Sequence, residues 1–145
     1  MAFKSVRLSG MGMDDKGEHM HKSKGNIVYP ETMFQKYGAD AFRFWSASEA
    51  KLGSNYRFAE ARVKGSALFL TKLWNIARFI SSFPIVTKGY ELASLDRMIL
   101  AELNGLIAEC ESGYTELNMY PPANAIRNFA WNVFADHYVE AAKSR

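Results

Sequence analysis

The sequence predicts a mainly α-helical protein: an antiparallel helical bundle preceded by a short β-hairpin. Three observations carry this prediction. After about residue 60, apolar side chains recur at three- and four-residue steps; proline-containing breaks separate these stretches; and the region before residue 30 is instead β-prone and rich in turn formers. With 145 residues, 48% hydrophobic and 14% aromatic, the chain has material for one buried core with an appendage.

The first element is the hairpin, in which "SVRL" runs into "SGMGM", "DDKG" turns the chain, and a return segment enters the basic loop "HMHKSKGN", His19 to Asn26. "PETMFQKYG" then reads as a helix, with Pro30 at its start, Met33, Phe34 and Tyr37 at helical spacing, and Gly38 where a left-handed cap belongs. Asp40 is placed to cap a second short helix, "AFRFWSAS".

A long helix is predicted from about Glu60, where Val63, Ala67, Leu70, Trp74, Ala77 and Ile80 form a stripe widened by Phe69, Leu73, Ile76 and Phe83. Pro84 ends it. A second long helix starts at a Ser94 cap and carries Leu95, Ile99, Leu103, Leu106, Cys110, Tyr114 and Leu117 on one face. "NMYPP" breaks the chain, and Pro122 opens a third helix with Ile126, Phe129, Ala130, Val133 and Tyr138. The short connections make the long helices antiparallel neighbours. The helical pattern still runs at "EAAKSR", so a bundle cut before its last helix, with an exposed apolar groove, is expected.

Composition excludes several classes. One cysteine, Cys110, rules out an internal disulfide framework and reads as a small apolar helix residue in a reducing compartment. No signal peptide or membrane-length apolar run is present in these 145 residues, so a cytoplasmic protein with no membrane partner is expected. The net charge of +3 is compatible with a polyanion but does not establish one.

In the basic loop, Lys22 and Lys24 supply charge, Ser23 a hydroxyl, and Gly25 a backbone open to close anion approach, with Asp14, Asp15 and Glu18 offsetting part of the charge. Two readings stay open on the residues alone: a phosphate-holding loop, and a solvated hairpin tip. His19 and His21 stand two apart, but no third ligand lies nearby, and no metal site is assigned.

On the first long helix, Lys64, Thr71, Asn75, Arg78 and Ser82 line the face opposite the apolar stripe, with Lys72 alongside. Such a face suits RNA phosphates and unstacked bases, or is simply solvated. Trp74 is read as core. On the third helix, Asn124, Asn128, Asn132, Asp136 and Glu140 form a polar line; the two acids are expected to tie helices together, Trp131 and Tyr138 to pack, and Arg127 and Lys143 to remain as possible RNA backbone contacts.

The blocks "HMHKSKGN" and "YGADAFR", followed in order by "RFAEARVKG", "FLTKLWNIARF", "SLDRMIL" and "FAWNVFADHYVEAAK", resemble the class I aminoacyl-tRNA synthetases over essentially the whole chain. "KLWNIARF" favours the valine branch over the isoleucine and leucine branches. The resemblance implies a signature loop at the end of a catalytic domain (residues 1–56) and a truncated anticodon-binding helical bundle of class I synthetase type (57–145).

It further implies that His19, Met20, His21, Lys22 and Ser23 bind ATP. His19 stands for the signature's first lysine and His21 for its first serine; Lys22 matches the second lysine, which in the family stabilises the phosphate charge that builds up during amino-acid activation. The implied partners are ATP, used with Mg2+, L-valine and tRNA(Val), the last on Lys64, Lys72, Asn75 and Arg78; no tightly bound cofactor is expected.

The family's His-x-Gly-His pattern is absent, since the histidines are His19, His21 and His137. The chain therefore reads as a C-terminal piece without the nucleotide-binding and editing domains of its parent, and it is expected not to activate valine alone. A free-standing helical interaction module and a tRNA-binding accessory factor are the competing readings.

Overall fold

A computed structural model of the chain describes residues 2–85, 87–89 and 91–143. The continuation of the helical pattern into residues 144 and 145 lies outside them. Strand β1, Gly12–Met13, pairs in parallel with β2, Tyr56–Arg57, with Gly12 opposite Tyr56 and Met13 opposite Arg57. Gly10 enters this pair where only glycine fits, because a Cβ there would stand 1.9 Å from the Ser54 carbonyl oxygen.

The expected hairpin is present only as a turn and one bridge. Gly17 N–H donates to the Asp14 carbonyl at 3.1 Å, closing the turn, and Met13 bridges His19 in antiparallel fashion. "SVRL" forms no strand. The return segment cannot extend the ladder, because the His19 carbonyl and the His21 N–H are both engaged by the Asn26 side chain.

Helix α1 spans Pro30–Tyr37 and α2 spans Ala39–Glu49. Gly38 separates them with φ of 85°, and its N–H donates to the Phe34 carbonyl at 3.0 Å. Asp40 does not cap α2, which starts before it; the carboxylate sits in the first turn, 3.9 Å from Arg43.

The first long helix, α3, spans Glu60–Ser81 as expected, and the second, α4, spans Ser94–Thr115. The cap of α4 is Ala93 rather than Ser94: the Asp96 carboxylate accepts from Ala93 N–H at 2.8 Å. The third helix begins as α5, Tyr120–Asn128, with proline in its first turn. It widens into a π-helical stretch, Phe129–Val139, and ends as α6, Glu140–Ala142. The wider winding brings residues five apart onto one face, so Phe129 stacks on Phe134 at 6.3 Å and Phe134 on Tyr138 at 5.6 Å. A regular α-helical stripe would have separated Phe129 from Phe134.

Side-chain pairs give the bundle its direction. Phe69 stacks on Trp131, Lys72 bonds Asp136, and Lys143 lies over Phe79, so α3 and the third helix run the same way. The α4 helix runs against the third: Gly113 faces Pro122, and Tyr138 O–H donates to Asp96 at 3.0 Å. The result is an up-down-up arrangement in which the third helix packs on both the others.

The core cluster consists of Met33, Trp45, Phe58 and Val63, flanked by Met20, Val28, Tyr37, Phe42 and Tyr56. It thus draws on both sides of residue 56. Asn124 extends the tie by donating to the Ser48 carbonyl at 2.9 Å, which joins α5 to α2.

On α3 the buried residues are Val63, Ser66 and Phe69. Trp74, expected in the core, is 69% exposed, and Ile80 is exposed as well. The inward face is rotated from the predicted stripe because α2 and the third helix clasp α3 from two sides, Phe69 meeting Phe44 at 4.9 Å on one and Trp131 on the other. Cys110 is half-buried in α4, where burial raises its thiol pKa, so it behaves as the small apolar residue expected. Leu100, Leu103 and Ile107 leave an exposed apolar strip on α4, and Met98 is exposed on another face. No helix among the described residues is long and apolar enough to cross a membrane.

Glu60, at the first position of α3, accepts from Lys36 Nζ and Tyr37 O–H, both at 2.9 Å, and so fastens the end of α1. The Lys36 bond, then the Tyr37 bond, lower the Glu60 pKa below its ordinary 4.5, and Glu60 in turn raises Lys36 above 10.5. A depressed carboxyl stabilises the fold above its unfolded pKa and loses that contribution as pH falls through the folded value; the raised lysine contributes fully below 10.5 and fades as pH rises through its folded value. Glu60→Gln is therefore expected to lower the melting temperature at neutral pH, with the difference from wild type closing below pH 4.5; a difference constant across the acid range would refute the assignment.

Candidate nucleotide loop and helical surface

The basic loop is a rigid base carrying an exposed tip. Its tip is a single 3-10 turn, Lys22–Lys24, entered from extended His21 and left through Gly25, whose φ of 67° is left-handed. Gly25 N–H donates to the Lys22 carbonyl at 3.2 Å. His21, Lys22, Ser23 and Lys24 are all exposed.

The first two signature positions face the other way. Met20 packs against the core cluster, and His19 is half-buried with its Nδ1 enclosed and, among the described residues, without a hydrogen-bond partner. The five predicted nucleotide residues are therefore divided: three point outward, and two anchor the loop.

The acidic residues do not neutralise the tip as expected. Glu18 pairs with Lys24 at 3.1 Å, but the Asp14 carboxylate, only 6% exposed, turns inward to accept from Asn26 Nδ2 at 2.8 Å and from the Lys16 and Glu18 N–H groups at 3.0 and 2.8 Å. The Asn26 bond first, and the Glu18 amide next, hold its carboxyl below the ordinary carboxylate value, against a smaller upward push from burial. Asp15 contributes its carbonyl to Arg57. Lys22 is the tip lysine for which the described residues show no ion pair. It is free to meet an anion.

Asn26 and Asp14 were not singled out as functional by sequence reasoning. The available signal was an asparagine directly after a loop glycine, a side chain suited to bonding nearby backbone.

The helical surface residues are also divided. Lys64, Asn75 and Arg78 are exposed on α3. Lys72 is not available in the same way: its ammonium is 2.6 Å from the Asp136 carboxylate and 4.5 Å from the centre of the Trp131 ring, fixing α3 to the third helix. Asp136 thus ties helices together as expected, whereas Glu140 bonds Lys143 within its own turn.

Asn75 borders a groove of about 550 Å3 with Leu68, Thr71, Phe79, Glu140 and Lys143. Beside it, Trp74 lines a second groove of about 740 Å3 with Arg43, Phe44, Leu70, Leu73 and Ala77. An exposed indole near a guanidinium is the chemistry of a base-stacking surface, which the core reading of Trp74 had set aside. Among the described residues no group of three His, Cys, Asp or Glu side chains is arranged to hold a metal.

Comparison with known proteins covers both regions. The family profile "tRNA synthetases class I (I, L, M and V)" matches residues 1–59, and "Anticodon-binding domain of tRNA ligase" matches residues 96–145. A valine-tRNA ligase of Aeropyrum pernix is 50% identical over 147 aligned residues, and one of Pyrobaculum aerophilum 48% identical over 143. A valine-tRNA ligase of Nanoarchaeum equitans is 36% identical over 144. Each alignment takes in 99% of this chain, but the chain spans only 18% of the length of the first two relatives and 19% of the third. In structure, the chain superposes with a TM-score of 0.72 on a LeuRS of Agrobacterium radiobacter K84, solved as a ternary complex with tRNA and LeuAMS; the match covers 93% of this chain and 18% of that one at 21% identity. That likeness speaks for the fold.

Proposed function

The chain belongs to the class I tRNA synthetase family, in its valine-tRNA ligase branch, and on that premise we propose that it is one segment of a longer valine-tRNA ligase. In this reading residues 1–56 close a catalytic domain, and residues 57–145 form part of an anticodon-binding bundle. The whole enzyme activates L-valine with ATP, used with Mg2+, and transfers it to tRNA(Val) in the cytoplasm.

One observation carries the loop's share of this: an exposed lysine, Lys22, stands without an ion pair among the described residues, on a glycine-ended turn whose base is bonded and packed to the core. When the tip closes over a nucleotide, Lys22 offers its ammonium to the phosphates where negative charge builds up as pyrophosphate leaves. Ser23 and His21 supply hydrogen bonds from the same turn. His19 and Met20, with side chains facing inward, contribute through backbone and by anchoring. The bundle presents Lys64, Asn75 and Arg78 to tRNA, while Lys72 acts by holding the helices that carry them.

The test is made on the full-length protein. Valine-dependent ATP-pyrophosphate exchange and charging of valine tRNA in preference to isoleucine tRNA are expected, with tRNA affinity falling steeply as salt rises. The 145-residue polypeptide alone is expected to show no exchange above background, because the His-x-Gly-His pattern of the family's nucleotide site does not occur in it. Robust exchange by this polypeptide, or salt-independent RNA affinity of the full protein, would overturn the assignment.

A further inference from the structure

We propose that Asp14 and Asn26 form a clamp that fixes the base of the signature loop, making both positioning residues for the step in which Lys22 meets the nucleotide phosphates. The inference rests on the proposed nucleotide role of the loop. Asn26 Nδ2 donates to Asp14 Oδ2 at 2.8 Å and to the His19 carbonyl at 3.1 Å, while Asn26 Oδ1 accepts from His21 N–H at 2.9 Å. Asp14 Oδ1 accepts from Lys16 and Glu18 N–H, and Asp14 N–H donates to the Glu18 carbonyl at 2.8 Å.

One amide and one carboxylate therefore bond the backbone at residues 16, 18, 19 and 21, all between the end of β1 and the tip of the loop. Residues 22 to 25 lie between the last clamped group, His21, and Asn26. Only this tip is left to move, between a carbonyl-to-amide turn and a left-handed glycine. The parked position is marked by the exposed Lys24–Glu18 ion pair, which links tip to base and is weak enough to open. A tip pivoting on a fixed base carries Lys22 along a limited arc; a tip on a loose base would lose that aim, with a corresponding entropic cost at the reacting phosphate.

The chemistry is specific to an amide facing a carboxylate. Asn26→Asp sets two carboxylates against each other, whereas the exchange Asp14→Asn with Asn26→Asp restores a donor opposite an acceptor between the two side chains, though not the bond to the His19 carbonyl. In the full-length protein, Asn26→Ala and Asn26→Asp are each expected to lower kcat for valine-dependent ATP-pyrophosphate exchange about 10- to 100-fold, the scale of a lost charge-assisted hydrogen bond, with KM for valine unchanged. Both should speed amide hydrogen exchange across residues 19 to 25, and the exchanged pair should return it toward wild type.

The deciding measurement is a double-mutant cycle with Lys22→Ala. If the clamp acts by aiming Lys22, Asn26→Ala costs less than about twofold once Lys22 is gone. The same factor in both backgrounds would show a general structural role and overturn the proposal, as would an exchanged pair no better protected than Asn26→Asp. A wild-type protein without valine-dependent exchange would instead overturn the functional reading, and the positioning role with it.

Discussion

Lys22→Ala in the full-length protein is expected to lower valine-dependent ATP-pyrophosphate exchange about 100- to 1000-fold, the usual scale for removing one preorganised group from developing phosphate charge. Affinity for tRNA should change by less than about twofold, since the tip is separate from the polar face of α3. Lys24→Ala supplies the control. In the resting loop its ammonium pairs with Glu18 at 3.1 Å, so it is drawn toward the base while Lys22 is not. Its loss should cost far less activity. Equal losses of exchange and tRNA affinity in Lys22→Ala would reassign this lysine to RNA binding, and equal effects of the two lysines would reduce the tip to a diffuse positive charge.

Phe69→Ala is expected to destabilise the chain by about 3–5 kcal/mol, while Trp74→Ala, five positions along the same helix, should fall within about 0.5 kcal/mol. Phe69 is 1% exposed and holds α2 to α3 through Phe44 and α3 to the third helix through Trp131, so its removal leaves a cavity at the meeting point of three elements. Trp74 presents most of its ring to solvent beside Arg43. Urea unfolding followed by helical circular dichroism measures both. Comparable losses would mean that α3 buries the face its hydrophobic periodicity suggested and not the one observed here.

The two substitutions also show where sequence reasoning reached and where it stopped. Helix α3 begins at Glu60 as the pattern required, and Val63 and Phe69 are buried as their spacing suggested. Yet Trp74 and Ile80 continue the same stripe and are exposed. Periodicity says that a helix has an apolar side, but the α3 side chains are apolar over a wide arc, and the partners choose which part of it is covered. The loop divides likewise. Lys22, Ser23 and Gly25 were legible as a polar, glycine-ended tip, and they form an exposed turn, because their chemistry is local. Asp14 lay in the same stretch and was read as a counter-charge, when it is a buried acceptor for Asn26 twelve residues on. Lys72 was read as a free cation for the same reason, its partner Asp136 being sixty-four residues distant.

By itself, then, the sequence determined the order of the helices, the helix limits marked by Pro30, Gly38 and the "YPP" break, and the family to which the loop and bundle belong, because these depend on local propensity and on residues in series. Only the tertiary structure decided that β1 would pair with distant β2 and leave the hairpin as one bridge, that the third helix would widen around Phe134, and which charges would be committed to the scaffold. Those outcomes come from long-range competition for hydrogen-bonding and packing partners: a polar or aromatic side chain takes whichever neighbour folding brings within about 3 to 6 Å, a quantity that spacing along the chain does not contain.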